Sequence, residues 1–253
     1  MPGVVLSARG LVKDYRRDRA VDGVNIVVHE GERVALLGPN GAGKTTTILM
    51  ILGVVEPDAG EVTIDGIALA RDRSHAAERI GFAAGYLPLT ERMRVREYLK
   101  FYGQLYGITD PDPLIAEGLE RFRIGHLANA MGTELSSGQR TLIGIVRATL
   151  HRPKLLVLDE PTASLDPDVA LRVRTGLLEL CERDGTALLM TSHDMSDVEQ
   201  ICERVVFLSH GHVVADGAPA EIASSYGRGD LAGVFLHLAE RHDPATAQQS
   251  DHP

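Results

Sequence analysis

Apolar residues in this chain come in short runs separated by Gly, Pro and charged residues, and the period of the runs changes along its length. Val4 to Leu11, Val24 to Val28 and Val62 to Ile64 are β-rich segments bounded by turn residues, so the leading portion predicts an antiparallel sheet. Arg33 to Leu37 is an apolar run that feeds a glycine-rich stretch, and Lys44 to Leu52 behind it has helical length. Between about Met93 and Asn129 the spacing becomes helical. Val95, Leu99 and Tyr102 share one face, and Leu114, Leu119 and Phe122 share another after Pro111 and Pro113. This region predicts a helical subdomain, about residues 93–138, inserted into a sheet domain.

From Leu135 onward strands and helices alternate. Gln139 to Leu150, Asp168 to Arg183 and Met195 to Cys202 read as helices, with Lys154 to Asp159 and Thr186 to Thr191 as strands. Helical crossovers between strands imply a parallel sheet buried on both faces. Val205 to Ser209 and His212 to Ala215, joined at His210-Gly211, predict a terminal hairpin. Residues 242–253 are polar and predict a flexible tail.

Composition narrows the class. With 253 residues, 44% hydrophobic and 24% charged, the chain predicts one domain over residues 1–241 rather than two independent ones. A formal net charge of −9, from 26 basic and 35 acidic residues, argues against a nucleic-acid partner, which would need clustered Lys and Arg. The longest nearly apolar stretch, Ile48 to Val55, is far short of the ~20 residues a spanning helix requires. The opening Met-Pro-Gly-Val-Val has neither a basic start nor a long apolar core, so no signal peptide is expected. Cys181 and Cys202 lie in apolar stretches without a Cys/His cluster, which predicts buried free thiols and suits a reducing cytoplasm.

The chemistry is concentrated in three segments. Gly38-Pro39-Asn40-Gly41-Ala42-Gly43-Lys44-Thr45 is a complete G-x-x-x-x-G-K-T phosphate loop between a predicted strand and a predicted helix. Its glycines let backbone N–H groups face a triphosphate, and the helix start adds its positive dipole end. Lys44 supplies a point charge to the β- and γ-phosphates, and the Thr45 hydroxyl is placed for Mg²⁺. Leu155 to Leu158 is an apolar run that delivers Asp159 and Glu160 to a strand's carboxyl end. There Asp159 completes the metal site and Glu160 can act as general base toward water. Leu135-Ser136-Ser137-Gly138-Gln139 opens a helix, and Ser136 and Gly138 form a second anion nest. The expected class is α/β: a P-loop NTPase with a central parallel sheet, an N-terminal antiparallel β portion and an inserted helical subdomain.

GPNGAGKT, LSSGQ, LLVLDEP, Ala163-Ser164-Leu165-Asp166 and Thr191-Ser192-His193-Asp194, in that order, resemble the ATP-binding cassette nucleotide-binding domain, from about Val4 to Phe235. The resemblance implies ATP and Mg²⁺ as cofactors, gripped by Gly38, Pro39, Asn40, Gly41, Ala42, Gly43, Lys44, Thr45 and Thr46. It implies that Tyr15 stacks on adenine and that His193 contacts the γ-phosphate as a catalytic partner of Glu160 and Lys44. Ser136, Gly138, Gln139 and Asp166 then serve the nucleotide held by a second subunit, in a head-to-tail sandwich of two ATPs. The partner cassette is a second copy or a paralogue. The transported substrate passes through a separately encoded permease, with this subunit peripheral on the cytoplasmic face of the inner membrane. Gly217 to Ile222 and Asp230 to Leu236 resemble the ends of cassettes from two-component exporters.

The sequence departs from the family pattern at Ser137, where Gly is usual, and at Gly85, which falls where the family places a Gln after its strand. Two other readings compete. A soluble cassette switching a ribosome or DNA machine would bring a second cassette with a charged linker, or long coiled coils between the motifs. A nonenzymatic nucleotide sensor would carry damaged catalytic positions, whereas Lys44, Asp159, Glu160 and His193 are all present.

Overall fold

The computed structural model describes residues 3–16, 18–85, 92–163 and 165–242, so Tyr86, Ser164 and the predicted tail from residue 243 lie outside the described residues. β1 (Val4–Tyr15) and β2 (Asp18–His29) form a long antiparallel hairpin, each strand 12 residues. The sequence pattern predicts shorter strands here. Gly10 and Gly23 sit at positive φ beside shifts in the pairing register, and these bulges interrupt the alternation that marks a strand.

β3 (Arg33–Leu37) leads through the glycine-rich loop to α1 (Lys44–Ile51). β4 (Ala59–Ile64) then pairs antiparallel with β1, and β5 (Ile67–Ala68) closes a four-stranded sheet ordered β2-β1-β4-β5. This is the antiparallel portion expected at the amino end. After α2 (Arg73–Ala77) and β6 (Ile80–Ala84) come α3 (Val95–Leu105) and α4 (Asp112–Arg121), in the stretch whose spacing predicts helices.

The rest of the chain alternates as expected. It runs through α5 (Ser137–Thr149), β7 (Leu155–Asp159), α6 (Pro167–Asp184), β8 (Ala187–Thr191), α7 (Met195–Ile201), β9 (Arg204–Ser209) and β10 (His212–Gly217). α8 (Pro219–Ser225) and α9 (Leu231–His242) follow. The second sheet has the order β10-β9-β3-β8-β7-β6, parallel throughout except for the β9–β10 hairpin.

Alternate residues of its strands enter two different cores, which is why the strands read as continuous apolar runs. Leu37, Leu156, Leu158, Leu188 and Met190 pack with Leu99, Leu119, Phe122, Leu142 and Leu177 of the helices. Leu36, Leu155, Val157 and Leu189 pack with α1 and the antiparallel sheet. α3 and α4 thus share the core of the parallel sheet with α5. Cys181 and Cys202 are free and buried, and burial raises both thiols, Cys181 to about 12. Among the described residues no helix is long and apolar enough to cross a membrane.

Candidate active site

The strand order sets the site, because β8 lies between β3 and β7 and all three end on the same edge. At the end of β3 the chain turns through Gly38 (φ 147°) and Gly43 (φ 101°), conformations that L side chains rarely adopt. A Cβ at Gly38 would collide with the Leu208 carbonyl, and one at Gly43 with the Ala20 carbonyl. Pro39 and Ala42 are buried, Asn40, Gly41 and Thr45 are exposed, and Thr46 is half-buried. Lys44 Nζ donates to the carbonyls of Gly38 (2.6 Å) and Pro39 (3.0 Å), which holds the ammonium over the loop. Burial lowers the Lys44 pKa, and the nearby charges of Glu160 and Asp159 oppose that shift. Since the first N–H groups of α1 have no partners within the helix, the loop is a ready cradle for an anion.

The carboxylates stand two strands away. Asp159 Oδ1 accepts a hydrogen bond from the Thr191 hydroxyl at 2.6 Å, and that same hydroxyl accepts the Glu160 N–H at 3.1 Å. Glu160 adopts φ 54°, which turns its side chain out of the strand line toward His193. Its Oε1 lies 3.1 Å from His193 Nε2, and its Oε2 accepts the His193 N–H at 3.2 Å. Burial raises the Glu160 pKa, opposed first by the His193 charge. A carboxylate poised this way, beside a ring nitrogen and facing a phosphate cradle, suits proton abstraction from water. Asp159 has a second carboxylate oxygen beyond the one that Thr191 bonds, and the Thr45 hydroxyl is exposed; both are hard-oxygen donors of the kind Mg²⁺ takes while retaining several waters.

Thr191 opens the Thr191-Ser192-His193-Asp194 segment, yet the sequence assigns a site role there to His193 alone. What marks Thr191 in the sequence is a hydroxyl closing an otherwise apolar strand two residues before His193. Thr191→Val keeps the shape but strands the Glu160 N–H and loosens Asp159. Turnover is expected to fall roughly 10- to 100-fold with little change in KM for ATP. Steady-state ATPase assays, with melting curves to confirm folding, measure this; an unchanged kcat would remove Thr191 from the site.

The remaining predicted residues form a second constellation. Ser136 caps α5: its hydroxyl accepts the Gln139 N–H at 3.2 Å, and Gln139 Oε1 accepts the Ser136 N–H at 3.0 Å. Gly138 is buried so closely that a Cβ would sit 3.1 Å from Val169 and 3.4 Å from Leu165. That packing places the start of α5 beside the start of α6, where Asp166 is exposed. Tyr15 ends β1 with 45% of its surface exposed. Gly85 follows β6, its N–H 3.4 Å from the Asp159 carbonyl, and among the described residues a Cβ there would meet only the Glu160 carbonyl at 3.6 Å. Among the described residues nothing crowds position 85 closely enough to require a glycine there.

Fold and site together define a P-loop ATPase, with the phosphate loop after one parallel strand and acidic and histidine groups after its neighbours. The family model described as ABC transporter matches residues 21–163. The chain belongs to the ABC transporter family, whose ATP-binding subunits hydrolyse ATP. It is 38% identical over 226 residues to the lipopolysaccharide export system ATP-binding protein LptB of Escherichia coli K12, covering 86% of this chain and 92% of that one. It is 33% identical to the linearmycin resistance ATP-binding protein LnrL of Bacillus subtilis, over 88% of this chain and 72% of that one. Among solved structures, the ATP-binding subunit of an ABC transporter superposes with a TM-score of 0.84 at 29% identity, over 92% and 99% of the two chains. A dimeric bacterial ABC transporter cassette superposes at 0.76 and 26% identity, over 84% and 98%.

Proposed function

We propose that this chain is the ATP-hydrolysing subunit of a two-component exporter and works as one of two cassettes beneath a separately encoded membrane permease. The observation that carries the reading is the division of the site. Lys44, Asp159, Glu160 and His193 face one phosphate cradle, while Ser136, exposed, and the buried Gly138 form an anion nest at the start of another helix, with the exposed Asp166 beside it. A nest of that kind serves a nucleotide gripped by a partner, so ATP closes two copies and hydrolysis reopens them.

Thr45 and Asp159 would hold Mg²⁺, which would supply charge neutralisation at the phosphates. Lys44 holds the phosphate charge, Glu160 takes the proton of the attacking water, and His193 orients Glu160. The helical region near Arg94 to Phe122 passes motion to the permease. The names of the relatives, lipopolysaccharide export, linearmycin resistance and Nod factor export, support the export direction. With no spanning helix among the described residues, the chain reaches the membrane through its permease, on the cytoplasmic face.

Affinity purification of the tagged chain from its own cells tests this reading. A polytopic protein is expected to co-purify with the chain and to stimulate its ATPase. Retention of ribosomes or DNA instead, with no effect of the membrane protein on turnover, would overturn it.

A further inference from the structure

Lys13 lies two residues before Tyr15 on β1, and its ammonium is fixed from outside that strand. The loop after α1 holds it: Glu56 O accepts at 2.7 Å and Asp58 Oδ1 at 2.9 Å. Asp58 also grips the backbone of the strand. Its Oδ2 accepts the Asp14 N–H at 2.7 Å, and its own N–H donates to the Val12 carbonyl at 2.9 Å. The Lys13 side chain is consequently only 16% exposed, although it carries a full charge near the strand end.

Residues two apart on a strand share a face. Lys13 Nζ therefore sits 5.9 Å from the centroid of the Tyr15 ring, within reach of its π system. The hairpin that carries the ring also touches the phosphate loop. Tyr15 pairs with Asp18, and two residues further on the Ala20 carbonyl packs against Gly43. A base attached to phosphates in the loop is thus brought to the hairpin end. An aromatic ring at such an end is free to turn unless something holds it, and ordering it in advance removes part of the cost of binding.

We propose that Lys13, itself held by Asp58, is a positioning residue for nucleotide-base binding: its immobilised ammonium sets the Tyr15 ring in the pose that stacks on the base. The inference rests on the reading of Tyr15 as the base platform. It adds a specific prediction, namely that a charge pair outside the phosphate cradle controls affinity for the base and not for the phosphates.

Calorimetric binding of two ligands to the purified chain separates these contributions, since ADP carries the base and inorganic pyrophosphate does not. Lys13→Met is expected to weaken ADP about threefold to tenfold and to leave pyrophosphate unchanged. Asp58→Asn should act in the same direction, and Lys13→Met should add nothing in a Tyr15→Ala background. Wild-type ADP affinity in Lys13→Met, or an equal loss for both ligands, would overturn the proposal. If Tyr15→Ala weakens ADP while Lys13→Met is inert, the clamp alone fails. If Tyr15→Ala is itself inert, the base platform fails and the clamp with it.

Discussion

Glu160→Gln is expected to slow ATP turnover by ~10²–10⁴ while leaving ATP binding intact. The substitution keeps the size of the side chain and an oxygen that can accept the His193 N–H, now donated at 3.2 Å. It removes the charge that would take a proton from water. On the proposed reading nucleotide binding rests on the loop between β3 and α1 and on Lys44, whose hydrogen bonds to Gly38 and Pro39 the change leaves in place. With closure intact and reopening blocked, the variant should accumulate as an ATP-bound dimer on gel filtration. Steady-state hydrolysis at the wild-type rate would remove Glu160 from the role of base. The pH profile offers an independent check. A base works when ionised, and burial raises this carboxyl, so kcat should fall on acidification at a higher pH than an ordinary Glu would give.

What could be read in the sequence was whatever chemistry requires to be contiguous. A phosphate loop needs its glycines, Lys44 and Thr45 within eight positions. A doubly covered strand needs an unbroken apolar run such as Leu155 to Leu158. Features that depend on tertiary contact left weaker traces. The full length of β1 and β2 was hidden by bulges at Gly10 and Gly23, which break the alternation while the strands continue. β6 was legible only as a segment before Gly85, and α2, α8 and α9 carry too short or too mixed a pattern to announce themselves. The link through Thr191 joins residues 32 positions apart, and a single hydroxyl at a strand end carries no periodic signal. The positive φ of Glu160 is likewise a product of its surroundings.

Two inactive variants are expected to restore each other when mixed, and this outcome distinguishes a site shared between protomers from one contained within a single chain. Lys44→Met removes the charge and donors that lie over the loop, and alone should reduce hydrolysis about 10²–10³-fold. Ser136→Asp keeps a side-chain acceptor for the Gln139 N–H, so α5 stays capped. It also sets a carboxylate against an approaching phosphate, and alone should cost about 10²-fold. In a mixed pair one nucleotide lies between the intact loop of the Ser136→Asp protomer and the intact helix start of the Lys44→Met protomer. Random pairing of equal amounts makes half the dimers mixed, each with one working site of two, so about one quarter of the wild-type rate should return. A rate no higher than the mean of the separate variants would mean that Ser136 serves its own protomer's nucleotide or none. Because Ser136 and Gln139 satisfy each other within one chain, the cap persists without a partner, so a rescue would report a phosphate brought by the second protomer and not a repaired helix start.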